Sequence, residues 1–264
     1  MAVQNPMKEY LSDAPYGKRA MMGLINVGPN PTPLPDFYRM IPPGVCVNET
    51  KIHEDPRVVL DVVGKLGGEL AAAAKLIGEL QPDLVAFTCT AGSMVVGPGY
   101  DKHECEVMSE AAGGIPATTT TTACLNAFRF LGVKKLTIGG PYIDEVNQRF
   151  KYVLDNSGFD VLSIKGLQIV GMKELASTPP SEAYRIGLEA YKAAPEADAI
   201  FIPCTTFRAI DIIDRLEKET GKPVITANQA SAWECLRLVG IDDSIQGFGA
   251  LLQRPRVAFK GDPR

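Results

Sequence analysis

From Met21 to Gly240 the chain alternates short apolar runs with longer segments of helical periodicity, and this alternation restricts the possible folds more than any other feature. The strand-like runs are MMGLINV at 21–27, DLVAFT at 83–88, PATTT at 116–120, KLTIGG at 135–140, DVLSIKGL at 160–167, DAIFIP at 198–203 and PVIT at 223–226. Helix-like segments stand between or after them at 56–80, 104–114, 123–132, 143–158, 181–194, 209–221 and 230–240. Strands whose crossovers are helices pair in parallel, with helices on both faces of the sheet. Sheets of this kind present ligands beyond the carboxyl ends of their strands.

The order contains a repeat. Asp83 precedes Cys89 by the same interval that separates Asp198 from Cys204, and each cysteine follows an apolar strand and precedes a threonine. Downstream, GGIPATTTTTACLNAFRFLGV parallels TGKPVITANQASAWECLRLVGI, with equal spacing from Arg129 to Gly132 and from Arg237 to Gly240. The chain therefore reads as two copies of one α/β unit. A pseudo-twofold relation would set the two strand ends, and their thiols, face to face across a cleft.

Two thiols flanking one substrate carbon form a chemical pair, in which one attacks or removes a proton and the other delivers one. Loop amides and a helix start beside each cysteine favour an anion and are expected to lower the thiol pKa from its ordinary value near 8.5. The flanking residues support the reading. CTAGS offers Thr90, Ala91 and Ser93, and CTTFR offers Thr205 and Thr206, as donors to a carboxylate or enediolate. Asn30, in the proline-stiffened loop GPNP, is a candidate carboxylate ligand. So is Tyr142, placed between a strand and a helix. The loop lacks the glycine pattern of a dinucleotide site. Cys46, Cys105, Cys124 and Cys235 read as packing residues, His53 and His103 as surface residues, and Thr118–Thr122 as a strand edge and helix cap.

Bulk properties exclude several classes. The chain has 264 residues, a net charge of −4 and no long basic run, which argues against a nucleic-acid partner. No apolar run approaches the ~18 residues of a membrane span. The first nineteen residues form a polar arm with no apolar core of the signal-peptide kind, so a cytoplasmic protein is expected. With two histidines, six scattered cysteines and no CxxC, a zinc site is not expected.

The stretches FTCTAGS, GGPYIDEVN, PCTTFRAIDIIDRLEKETGKPVITANQASAWECLRLVGI and GLINVGPN resemble the Asp/Glu racemase superfamily, most closely its maleate cis–trans isomerases, with arylmalonate decarboxylases nearby. The resemblance covers roughly residues 23–249. It implies two pseudo-symmetric lobes, each a four-stranded parallel sheet flanked by helices, with the active site between them. It also implies no cofactor, a small carboxylic acid as substrate, and a homodimer or higher homo-oligomer. The expected organisation is an arm at 1–19, lobe 1 at 20–117 plus 227–250, lobe 2 at 118–226, and a tail at 251–264.

By position, Cys89 resembles the isomerase nucleophile and Cys204 the opposing acid/base thiol. Asn30 and Tyr142 fall on substrate-binding positions, and Thr90, Ala91, Thr205 and Thr206 on the anion-binding loops. Decarboxylases of this group have glycine where Cys89 stands. Two departures from the isomerases are visible. The chain reads GPNPT where they read Ser-Ser-Asn-Thr-Thr, and Val170, Gly171 and Met172 replace a segment carrying a second asparagine. The expectation is a cis–trans isomerase of a maleate-like acid, less polar or more substituted than maleate. A two-thiol racemase and an arylmalonate-type decarboxylase are the alternatives.

Overall fold

In the computed structural model, residues 15–55, 57–63 and 67–254 are described. The first half runs β1 (Ala20–Val27), α1 (Pro33–Met40), β2 (Val45–Ile52), α2 (Leu60–Val63), α3 (Gly67–Gly78), β3 (Leu84–Phe87), α4 (Thr90–Met94), α5 (Tyr100–Ala111), β4 (Ala117–Thr119) and α6 (Thr120–Phe130). The second half runs β5 (Lys135–Gly140), α7 (Asp144–Asn156), β6 (Asp160–Gly166), α8 (Met172–Ser177), α9 (Pro180–Ala193) and β7 (Ala199–Ile202). A 3-10 turn at Ile210–Ile212 follows, then α10 (Ile213–Thr220), β8 (Val224–Thr226), α11 (Ala227–Leu238) and α12 (Gly249–Gln253).

The strands form two four-stranded sheets, ordered β2-β1-β3-β4 and β6-β5-β7-β8, and every pairing is parallel. The two orders are the same order, so β3 and β7, the strands that precede the paired cysteines, occupy equivalent places. The central strands are buried on both faces. Met22, Leu24, Ile25, Leu84, Val85 and Phe87 fill one core, and Leu136, Ile138, Ile200, Phe201 and Ile202 the other. Each such side chain contributes about 1.5–3 kcal/mol on removal from water.

Local chemistry explains the joints. Thr119 and Thr226 end β4 and β8 and cap the helices that follow, accepting from the amides of Thr122 and Gln229. Gln229 returns a bond to the Thr226 amide, which completes a capping box. Helices α6 and α11 pack on each other and join the halves. Ser231 Oγ lies 3.1 Å from Thr120 Oγ1, and Asn126 donates to Glu234 at 2.8 Å. In the second half, α9 lies against β5 so closely that a Cβ on Gly139 would sit 2.6 Å from the Ile186 carbonyl oxygen and 2.7 Å from Gly187 Cα.

Three expectations change. A strand not foreseen, β2, closes the edge of the first sheet. Helix α1 also occupies a proline-rich stretch that reads as loop. The helix expected across 56–80 begins only at Leu60 and is described over Leu60–Val63 and Gly67–Gly78, with 64–66 outside the described residues. The polar arm and the tail expected at the ends lie largely outside the described residues.

Candidate active site

Cys89 ends the extended backbone after β3 and is the N-cap of α4. Its sulfur accepts from the Gly92 amide at 3.3 Å. Ser93 Oγ donates to the Cys89 carbonyl at 2.7 Å and lies 2.8 Å from Thr121 Oγ1, which ties this turn to α6.

Cys204 follows β7 in a different way. Its φ is +85°, in the left-handed region that a side chain seldom occupies, at a cost of about 1–3 kcal/mol. The cost is offset by bonds from the first half of the chain. The Cys204 amide donates to Thr90 Oγ1 at 3.3 Å, and Thr205 Oγ1 donates to the Thr88 carbonyl at 3.0 Å. Thr32 Oγ1 donates to the Thr206 carbonyl, and Asn30 Nδ2 donates to Thr205 Oγ1, each at 3.0 Å. Asn228 adds a bond to the Thr205 carbonyl at 2.9 Å while also donating to Asp36 at 2.7 Å. At ~0.5–1.5 kcal/mol each, these bonds together exceed the strain.

The two turns meet in one cavity. Its wall holds Cys89, Thr90, Ala91, Tyr142, Cys204, Thr205 and Thr206, together with Val27, Glu54, Val58 and Met172. Seven of the eight residues expected at the site are therefore on the wall. Asn30 is not. Its side-chain Nδ2 donates to Thr205, and its side-chain Oδ1 accepts from the Thr32 amide at 3.1 Å. Asn30 thus acts on the Cys204 turn from behind. A roof closes the cavity where the loops after β2 and β6 meet: the Val58 amide donates to the Val170 carbonyl at 2.8 Å, and Arg57 bridges to Gly171. Met172, in the segment where the isomerases carry a second asparagine, is an apolar part of the wall.

The expectation of lowered thiol pKa values is corrected. Both thiols are buried, and burial pushes both up. Cys89 is pushed well up, by burial first and then by the Glu54 charge, against which the Gly92 amide is a small counterweight. Cys204 is pushed up by burial, but the Tyr142 hydroxyl and the Thr206 and Phe207 amides face its sulfur and oppose the rise. Of the two, Cys204 is the better supported as a thiolate. Tyr142 is itself held protonated by burial and by Cys204, so it remains a donor.

Glu54 was not foreseen. It follows β2, a strand whose alternation is masked by Asn48, Glu49, Thr50 and Lys51, and a glutamate in the stretch HED reads as surface. Of the cysteines expected to pack, Cys46 and Cys105 are only half-buried, while two others and the histidines take the places expected. Cys124 and Cys235 are fully buried in α6 and α11, and His53 and His103 are exposed.

Comparison with known proteins agrees with this architecture. Residues 57–252 match the family model described as arylmalonate decarboxylase. The arylmalonate decarboxylase of Bordetella bronchiseptica is 30% identical over 182 residues, which is 69% of this chain and 71% of that one. A liganded crystal structure of an arylmalonate decarboxylase double variant, glycine to cysteine and cysteine to serine, superposes with a TM-score of 0.82 at 25% identity over 88% of this chain and 98% of that chain. A cysteine-to-serine variant of the Nocardia farcinica maleate cis–trans isomerase, with a covalently bound succinylcysteine intermediate, superposes with a TM-score of 0.81 at 20% identity, covering 89% and 98%. The chain belongs to the arylmalonate decarboxylase family of enzymes, in the fold shared by that decarboxylase and the maleate isomerases.

Proposed function

We propose that the protein is a cofactor-independent cis–trans isomerase of a maleate-like dicarboxylic acid. The observation that carries the reading is the meeting of two thiols, from equivalent strand ends of the two sheets, in one cavity lined with hydroxyl and amide donors. One substrate carboxylate rests on Thr90, Thr206, Tyr142 and the backbone amide of Thr205. Cys204, whose sulfur is faced by donors, takes the Cys89 proton. The Cys89 sulfur then adds to one alkene carbon, and the displaced electron pair moves onto the neighbouring carboxylate as an enediolate. The former double bond is now single and rotates. The electron pair returns, the carbon–sulfur bond breaks, the trans acid leaves, and Cys204 returns its proton to Cys89. Covalent addition replaces a hindered rotation by two easier steps. The succinylcysteine seen in the Nocardia farcinica isomerase is the carbon-protonated form of the sulfur adduct this route passes through.

Conversion of maleate and alkyl maleates to their trans isomers, followed by proton NMR, tests the reading. Cys89→Ala and Cys204→Ala should each abolish turnover, and near-wild-type rates in either variant refute it. The identity with an arylmalonate decarboxylase supports a second reading, decarboxylation of a substituted malonate with Cys204 delivering the proton. Carbon dioxide release that survives Cys89→Ala selects that one.

A further inference from the structure

Glu54 has no part in the chemistry above, yet its side chain is 5% exposed, it lines the cavity that holds both thiols, and its Oε2 is buried with no hydrogen-bond partner. A polar atom in that position costs about 1–3 kcal/mol unless something satisfies it. Among the described residues lining the cavity none is Lys, Arg or His, so no protein cation is there to do so. The donors facing the cavity lie around Cys204, at the Tyr142 hydroxyl and the Thr206 and Phe207 amides. Val27, Val58 and Met172 are apolar. A dicarboxylic substrate with one carboxylate on the donors therefore has a second charged group and no cation to receive it. An ionised glutamate would repel that group, whereas a protonated one can donate a hydrogen bond to it and satisfy both partners.

We propose that Glu54, as the neutral acid, is a specificity-determining residue that donates its proton to the distal carboxylate of a dianionic substrate, so that the diacid is bound together with one proton. The inference rests on the dicarboxylate reading of the site. Burial, and secondarily the neighbouring Asp55 charge, already raise the Glu54 carboxyl to about 7, and a dianion beside it raises it further. The groups around it are consistent with this. Cys89, Tyr142 and Cys204 share the cavity with it, and burial holds all three protonated more firmly than in water, so none places a full charge against it. Asp55 is paired with Arg57 at 2.7 Å, and His53 is exposed.

The test uses the Cys89→Ser/Cys204→Ser variant, which has no site thiol to exchange a proton. Maleate binding is measured by titration calorimetry at pH 8 in buffers of different ionisation enthalpy. Uptake close to one proton per maleate is expected, with affinity falling about tenfold per pH unit above pH 8. Adding Glu54→Gln, whose amide donates without titrating, should abolish the uptake and flatten the pH dependence. Glu54→Leu should bind more than tenfold more weakly at pH 7, where the glutamate still carries its proton in the complex, and should show no pH dependence from pH 7 to 9. Binding without proton uptake, an unchanged pH dependence in Glu54→Gln, or preference for an amino acid over a diacid each overturns the proposal. Turnover by the wild type without proton uptake by the variant removes this role for Glu54 and leaves the isomerase standing. Proton uptake without wild-type isomerisation does the reverse.

Discussion

Removing the Tyr142 hydroxyl should make Cys204 a weaker acid by an amount the structure bounds. Tyr142 is buried, stacks edge-on with Phe150 at 5.0 Å between centroids, and presents its hydroxyl to the Cys204 sulfur. Phenylalanine keeps the ring and its contact, so the fold is retained and the change is confined to one donor. A hydrogen bond to a charged acceptor is worth about 1.5–3 kcal/mol, and one pH unit corresponds to about 1.4 kcal/mol. The Cys204 pKa should therefore rise by about 1–2 units in Tyr142→Phe, from a value that burial has already raised. Because alkylation proceeds through the thiolate, the iodoacetamide rate at Cys204 at pH 8 should fall about 10- to 100-fold, read by peptide mass spectrometry in a Cys89→Ser background. The other cysteines in the same digest serve as controls. An unchanged or faster Cys204 rate would show that the hydroxyl does not stabilise the thiolate, and the assignment of Cys204 as the proton-accepting thiol would fall with it.

Asn30→Ala should lower stability by about 2–4 kcal/mol in urea unfolding, because it strips a donor from Thr205 and an acceptor from the Thr32 amide, both buried. Glu104 is buried with neither carboxyl oxygen partnered, and burial with the nearby Asp101 raises it to about 9. The folded state therefore holds a proton that the unfolded chain releases near the ordinary glutamate value, and stability falls as pH rises between the two. Glu104→Gln should remove that slope, leaving the variant more stable than the wild type at pH 8 and equal to it near pH 4 in parallel denaturation curves. Gly139→Ala should cost about 1–3 kcal/mol or more, since the added Cβ meets α9 backbone that has no rotamer to yield.

The buried central strands were legible because parallel strands covered on both faces read as continuous apolar runs, as AIFI and LVAF do. The edge strand β2 was not, since VCVNETKI is half-buried and its polar residues break the run. The paired thiols were legible because the duplication repeats both their position and their neighbours. The left-handed turn at Cys204 was not legible, because nothing in Pro-Cys-Thr marks it. It exists through bonds from Thr88, Thr90, Asn30 and Thr32, residues remote in the chain. The rise in thiol pKa escaped for the same kind of reason, since loop amides are local and burial is tertiary.

The roof over the thiols is stitched from two loops, Val58 after β2 and Val170 after β6, one from each half. The chamber consequently needs no dedicated flap. Opening the chamber at this place would require the Val58–Val170 bond between the halves to break. Any substitution that loosens the loops carrying that bond then becomes a way to change how fast acids come and go without touching the sulfurs.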